Sequence, residues 1–259
     1  TFGLAGLVTI ATGHNDEKAY YTLIQADGKI IVIGLSNNEE GTYYFTAVRY
    51  DIDGRLDTDY GNNGKVMTLI EPVNHPQKLN RGYDKAASAV IQPDGKLVIA
   101  GDLSTGFSMV RYTASGRHDA SFGDDGIVRT SVGLGGSKAT GIALQKDGKI
   151  VVTGKLIDVF TGLDIALVQY DKDGTLDTSF GRRNISFADI DSAYDVANDI
   201  ELQPDGKAIV VGYSMMSSFE IAVYRFNKMP FGDPIYNSLL GLIISIFLLL
   251  IIEILVALI

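Results

Sequence analysis

The chain has 259 residues, 46% hydrophobic and 20% charged, enough to bury a core as one large or two small domains. Its net charge of −9, without any run of lysine or arginine, repels phosphate backbones and argues against nucleic-acid binding. With no cysteine, disulfide scaffolds, thiolate zinc sites and cysteine nucleophiles are excluded.

The chain begins at Thr1 rather than Met, so an upstream segment such as a cleaved signal peptide is expected. Its first stretch, TFGLAGLVTI (Thr1–Ile10), reads as a Phe-Gly turn followed by a strand that has no partner before it. A unit then repeats four times with a period near 60. Its first mark is a hairpin: IQADGKIIVIG (Ile24–Gly34), IQPDGKLVIAG (Ile91–Gly101), LQKDGKIVVTG (Leu144–Gly154) and LQPDGKAIVVG (Leu202–Gly212). An apolar stretch precedes the turn, as in Ala86–Ile91 and Thr140–Leu144, and a Val/Ile-rich run follows it. Asp favours such a turn and Gly supplies its positive φ. The third strand is Phe45–Tyr50, Phe107–Tyr112, Asp164–Tyr170 and Glu220–Phe226. A long turn follows in three units: YDIDGRLDTDYG (Tyr50–Gly61), YTASGRHDASFG (Tyr112–Gly123) and YDKDGTLDTSFG (Tyr170–Gly181). The fourth strand is Gly64–Ile70, Gly126–Val132 and Asn184–Ile190. Four antiparallel strands repeated around an axis make a β-propeller blade, so an all-β, four-bladed propeller is expected over residues 1–232.

These motifs resemble the delta-60 repeat family, whose signature runs approximately A-x-Q-x-D-G-K-I-x-V-x-G, then F-A-L-x-R-Y-x-x-x-G-x-L-D-x-x-F-G. The resemblance covers the chain up to Gly232 in four copies. It implies a bacterial β-propeller and brings no common catalytic activity. The departures are Tyr60 for the Phe of the FG pair, Gln169 for the strand-three Arg, and His118 for the Leu of the LD pair. The last copy keeps only FNKMPFGDP (Phe226–Pro234) in place of the long turn.

The last unit has three strands and the chain opens with a fourth, so the N-terminal strand is expected to complete the last blade and close a four-bladed ring. The other reading is a fragment of a larger propeller. Closure would remove exposed sheet edges.

Propeller geometry places the repeated turns on one face and the irregular links on the other. Variable loops on a rigid scaffold are where recognition sits. The candidate partner-binding residues are therefore Asn38, Glu39, Tyr43, Tyr44, His75, Gln77, Tyr83 and Phe160. Chemistry in the repeated turns carries less weight. The D-x-D-G stretches Asp51–Gly54 and Asp171–Gly174 could hold calcium, but lack the later bidentate Glu of an EF-hand and read better as turns. Arg49, recurring as Arg111 and Arg225, reads as a buried partner of a turn Asp. No nucleophile elbow, H-E-x-x-H, P-loop or dinucleotide fingerprint is present, so no catalytic, cofactor or metal residue is assigned and a non-enzymatic role is expected.

Residues 233–259 form a linker and an apolar run. SLLGLIISIFLLLIIEILVALI (Ser238–Ile259) carries Glu253 as its one charge, and as a helix it spans roughly 33 Å, enough for a bilayer core. Glu253 either meets another transmembrane subunit or snorkels to the interface; Gly241 and Ser245, four apart, are a weak packing signal for the first. The helix leaves after strand three, which would turn the repeated face toward the bilayer. The expected protein is a single-pass, C-terminally anchored propeller, periplasmic or extracellular. Its partners would be other protein subunits, one of them transmembrane. The alternative is a glycan-binding or glycan-processing propeller, weakened by the absence of tryptophan.

Overall fold

In the computed structural model, residues 2–10, 17–37, 43–70, 86–103, 106–132, 137–158, 162–181, 186–188, 194–215 and 219–226 are described. They form four antiparallel sheets in chain order. The first holds β1 (Glu17–Ile24), β2 (Ile30–Asn37), β3 (Tyr43–Tyr50) and β4 (Lys65–Thr68). The second holds β5 (Ala86–Ile91), β6 (Leu97–Leu103), β7 (Gly106–Tyr112) and β8 (Ile127–Ser131). The third holds β9 (Lys138–Leu144), β10 (Ile150–Asp158), β11 (Gly162–Tyr170) and β12 (Ser186–Ala188). The last has β13 (Tyr194–Leu202), β14 (Ala208–Met215) and β15 (Phe219–Phe226). Each sheet is a simple meander, the organisation of a propeller blade. No helix long and apolar enough to cross a membrane occurs among the described residues; the apolar run 238–259 lies outside them.

The hairpin motif earns each of its letters. In all four copies the Gln N–H donates to the Lys carbonyl and the Gly N–H donates back to the Gln carbonyl, with Gly at φ between 80° and 88°. The Asp carboxylate accepts the Lys backbone N–H, as in Asp27 to Lys29 and Asp205 to Lys207. The final Gly answers to packing. Strand one carries a bulge opposite it, and a Cβ on Gly34, Gly154 or Gly212 would come within about 2 Å of the carbonyl of Lys18, Lys138 or Val196. No side chain fits there.

Alternation along each strand buries apolar residues between blades. One cluster joins blades one and two through Ile31, Ile33, Phe45, Tyr60, Leu97 and Tyr112. A second joins blades two and three around Phe107, Met109, Phe122, Ile150 and Tyr170. A third joins blades three and four through Val151, Ile165, Phe180, Ile200 and Val210. Among the described residues no such cluster joins blade four to blade one. The closure expected of the chain's own N-terminal strand is therefore not seen there: β13–β15 is a three-stranded sheet, and Phe2–Val8 lies on blade one. A strand can complete a sheet only where it lies alongside the edge, and among the described residues Phe2–Val8 lies against blade one instead.

Candidate functional site

The polar residues that recur from blade to blade converge on one point. In blade two, Arg111 Nε donates to Asp119 Oδ2 at 2.8 Å, and Lys96 of the preceding hairpin lies 3.2 Å from the same oxygen. The guanidinium stacks on the Phe122 ring at 4.5 Å and its Nη1 donates to the carbonyl of Lys172 in blade three. Blade one repeats this with Arg49, Asp57, Lys29, Tyr60 and the carbonyl of Ala114 in blade two. Blade three substitutes Gln169, whose Nε2 donates to Asp177 at 2.9 Å while Lys149 donates to the same carboxylate. Thus the Lys of the hairpin motif, to which the sequence reading gave no role, neutralises the Asp of the following long turn. The pairing of the repeated Arg with a turn Asp is as the sequence suggested.

These bonds shape the electrostatics. The bond from Lys149, with further help from Ser179, holds the Asp177 carboxyl well below the usual carboxylate range. Burial pushes Asp119 upward, but Ser121 and Lys96 outweigh it and its carboxyl is also held low. Both stay ionised against their cations. Asp51 is likewise occupied, its Oδ1 accepting the backbone N–H groups of Asp53 and Arg55. The recurring face is therefore a set of blade-to-blade clamps, completed by the Gly61 N–H donating to the Ser115 carbonyl and the Gly123 N–H to that of Asp173.

A groove of about 940 Å³ lies between blades one and two, lined by Asn62, Asn63, Lys65, Tyr112, Arg117 and His118 among others. His118 takes the place that Leu56 holds one blade earlier, against the glycine of the next turn (Gly126 and Gly64 respectively). It meets the Tyr112 ring edge-on at 6.0 Å. Tyr112 in turn shares a 2.6 Å hydrogen bond with Thr68. Two cations and two amides line this groove, a donor-rich surface suited to carboxylates or peptide carbonyls. The sequence reading noted His118 as a departure but did not join it to Lys65 and Arg117. The available signal was that all three sit where an aligned repeat has a different residue.

Of the loop residues singled out from sequence, Tyr43 and Tyr44 open β3, and the Tyr44 side chain is half-buried. Asn38, Glu39, His75, Gln77, Tyr83 and Phe160 lie outside the described residues, as do Gly241, Ser245 and Glu253. No group of three or more His, Cys, Asp or Glu poised to hold a metal occurs among the described residues.

The sequence matches a family described as "Domain of unknown function (DUF5122) beta-propeller" over residues 25–60, 92–122 and 145–180. Each match runs from the hairpin Gln to the FG aromatic of one blade, through Lys, Arg or Gln, and Asp of the clamp. The match supports a bacterial β-propeller repeat family. Comparison with curated proteins gives no match. Similar solved structures include a protein of unknown function from Bacteroides caccae, at 13% identity, covering 85% of this chain and 63% of that one, with a TM-score of 0.45. Virginiamycin B lyase from Staphylococcus aureus is 14% identical, with 81% and 56% covered and a TM-score of 0.40. An α-L-arabinofuranosidase from Clostridium thermocellum is 12% identical, with 86% and 72% covered and a TM-score of 0.44. The chain thus spans less than two thirds of the length of the first two.

Proposed function

We propose that this propeller is a membrane-anchored, non-catalytic subunit that scaffolds or assists other proteins of a membrane or cell-envelope complex. Residues 238–259 would be its single transmembrane helix, with the blades outside the cytoplasm. The observation that carries the reading is a division of labour between polar residues. Lys, Arg and Asp of the repeats are engaged in blade-to-blade clamps, which leaves recognition to residues that do not repeat. Those are the loops around Asn38, His75 and Phe160 and the groove at Lys65 and His118. The 22-residue apolar run with Glu253 as its one charge supports a partner that is itself in the membrane.

The test is purification of the intact protein in mild detergent, with mass spectrometry of the co-purifying chains. A different protein with its own transmembrane segment is expected in fixed proportion. Recovery of this chain alone, or with copies of itself only, overturns the reading. Release from membranes by alkaline carbonate would overturn the anchor.

A further inference from the structure

Blade three sets two lysines against each other across one strand pair. On β10, Lys155 follows the final glycine of the hairpin motif, and in the register of the sheet it stands directly opposite Lys138 of β9. The same cross-strand place holds Lys18 opposite Leu35 in blade one and Val196 opposite Tyr213 in blade four. The motif itself keeps the pair close. The strand-one bulge falls at Thr153 and Gly154, and a Cβ on Gly154 would come within 2.0 Å of the Lys138 carbonyl. Like charges directly opposite each other destabilise a sheet. A buried carboxylate, Asp102 on β6 of blade two, stands beside them, and its Oδ2 lies 3.2 Å from the Lys138 Nζ. The Lys155 amine makes no hydrogen bond or ion pair among the described residues. Its own surroundings are apolar and it is partly buried. Its partner on β11 is the fully buried Ile165, and its chain neighbours are Gly154, against the Phe107 ring, and Leu156 of the core. Asp164, opposite Leu156, falls on the other face of the sheet.

We infer that Lys155 is a nucleophilic amine, a site at which this propeller takes up aldehydes or ketones as imines. A cation set beside another cation and against apolar side chains gains by giving up its proton, and lysines are activated as nucleophiles in this way. Burial first, and Lys138 second, hold the Lys155 amine below the ordinary lysine range, with Asp102 opposing them only in part. The electron pair on the neutral Nζ adds to the carbonyl carbon while the C=O π electrons move to oxygen. A proton passes from nitrogen to oxygen through water, and the carbinolamine loses one water to leave C=N. Nothing is oxidised or reduced. The imine is a weaker base than the amine it replaces, so beside Lys138 it relieves the repulsion that an ammonium group would feel. Lys155 lies at the end of β10 away from the repeated hairpin turn, on the side of the irregular links and clear of the clamps. The inference is independent of the membrane and scaffold readings.

The test treats the full-length protein, in mild detergent at neutral pH, with propanal and sodium cyanoborohydride, whose hydride fixes each imine as a propylamine. Peptide mass spectrometry then gives the rate at each lysine. Lys172, exposed on the long turn of the same blade, is the internal reference. Lys155 should be alkylated at least about fivefold faster than Lys172, because the neutral amine is the form that reacts. An equal or slower rate overturns the inference. Two variants separate an activated amine from one that is simply accessible. Lys138→Met removes the opposing cation and releases Asp102 to Lys155, and should bring the Lys155 rate to within about twofold of that of Lys172. Asp102→Asn removes the offsetting charge and should raise the Lys155 rate. If both rates stay unchanged, or both move in the same direction, access rather than the neighbouring charges governs Lys155, and the inference fails. Circular dichroism checks that each variant keeps its strand signal; should either lose it, the comparison of Lys155 with Lys172 in the unaltered protein decides.

Discussion

The third strand of blade two and the third strand of blade four carry nearly the same pattern, yet their surroundings are opposite. FSMVRY in β7 is buried along its whole length, between β6, β8 and blade three. EIAVYRF in β15 keeps β14 on one side and, among the described residues, pairs with no strand on the other. The difference teaches that the repeat specifies a surface and a register, while burial depends on whether a neighbouring blade is present. A solenoid-like array behaves this way, with stability shared between units and their interfaces.

Mutations can break or sharpen that contrast. Phe107→Ala should lower the unfolding free energy by about 3–5 kcal/mol, the range for a buried aromatic. Ile221→Ala, in the equivalent but exposed place on β15, should change that of the isolated chain by less than about 0.5 kcal/mol. Urea unfolding followed by circular dichroism compares them, and equal losses would erase the distinction. Arg111→Ala should cost about 1–3 kcal/mol, because it removes a buried charge-assisted hydrogen bond and leaves only Lys96 on Asp119. Gln169→Ala leaves Lys149 on Asp177 and should cost only about 1 kcal/mol. Similar losses at the two positions would mean that neither the charge nor the aromatic stack of Arg111 adds to the clamp.

The motif glycines give the next largest effect. Gly154→Ala places a methyl about 2 Å from the Lys138 carbonyl and should cost about 1–3 kcal/mol by the same unfolding assay. Acid should act more gradually. The Asp119 and Asp177 carboxyls are held below their usual value in the folded chain, so their stabilisation is present above the unfolded pKa of about 4 and is lost as pH falls below it. Thermal unfolding between about pH 6 and pH 2 should show this loss, and Asp119→Asn should flatten it; a profile with no loss below pH 4 would contradict the clamp. The smallest effect has the opposite sign. Tyr60 replaces the Phe found at 122 and 180, and its buried hydroxyl has no hydrogen-bond partner among the described residues. Tyr60→Phe should therefore gain about 1 kcal/mol.

Much of this was legible in the sequence because its signals are local. The strands fall where Val/Ile runs and turn residues put them: Ala86–Ile91 matches β5, and Phe107–Tyr112 is β7 but for one residue. The Arg-to-Asp pairing followed from a charge repeating beside an aromatic in a buried strand. The Lys29, Lys96 and Lys149 contacts were missed because each crosses 23 to 28 residues to reach its Asp, and no periodicity links the two motifs. The groove at Lys65, Arg117 and His118 was missed for the same reason. Its residues come from two blades and become neighbours only when the blades pack.

By itself the sequence determined the blade: the hairpin, the long turn, the third strand, and four copies of the hairpin. Each rests on backbone geometry within a few residues, where Asp, Gly and β-branched side chains leave few alternatives. Tertiary structure decided what the blades do with one another. It showed which Lys meets which Asp, that Phe2–Val8 docks on blade one, and that Ile221 on β15 is exposed. Those outcomes depend on packing between segments far apart in the chain, which no local pattern encodes.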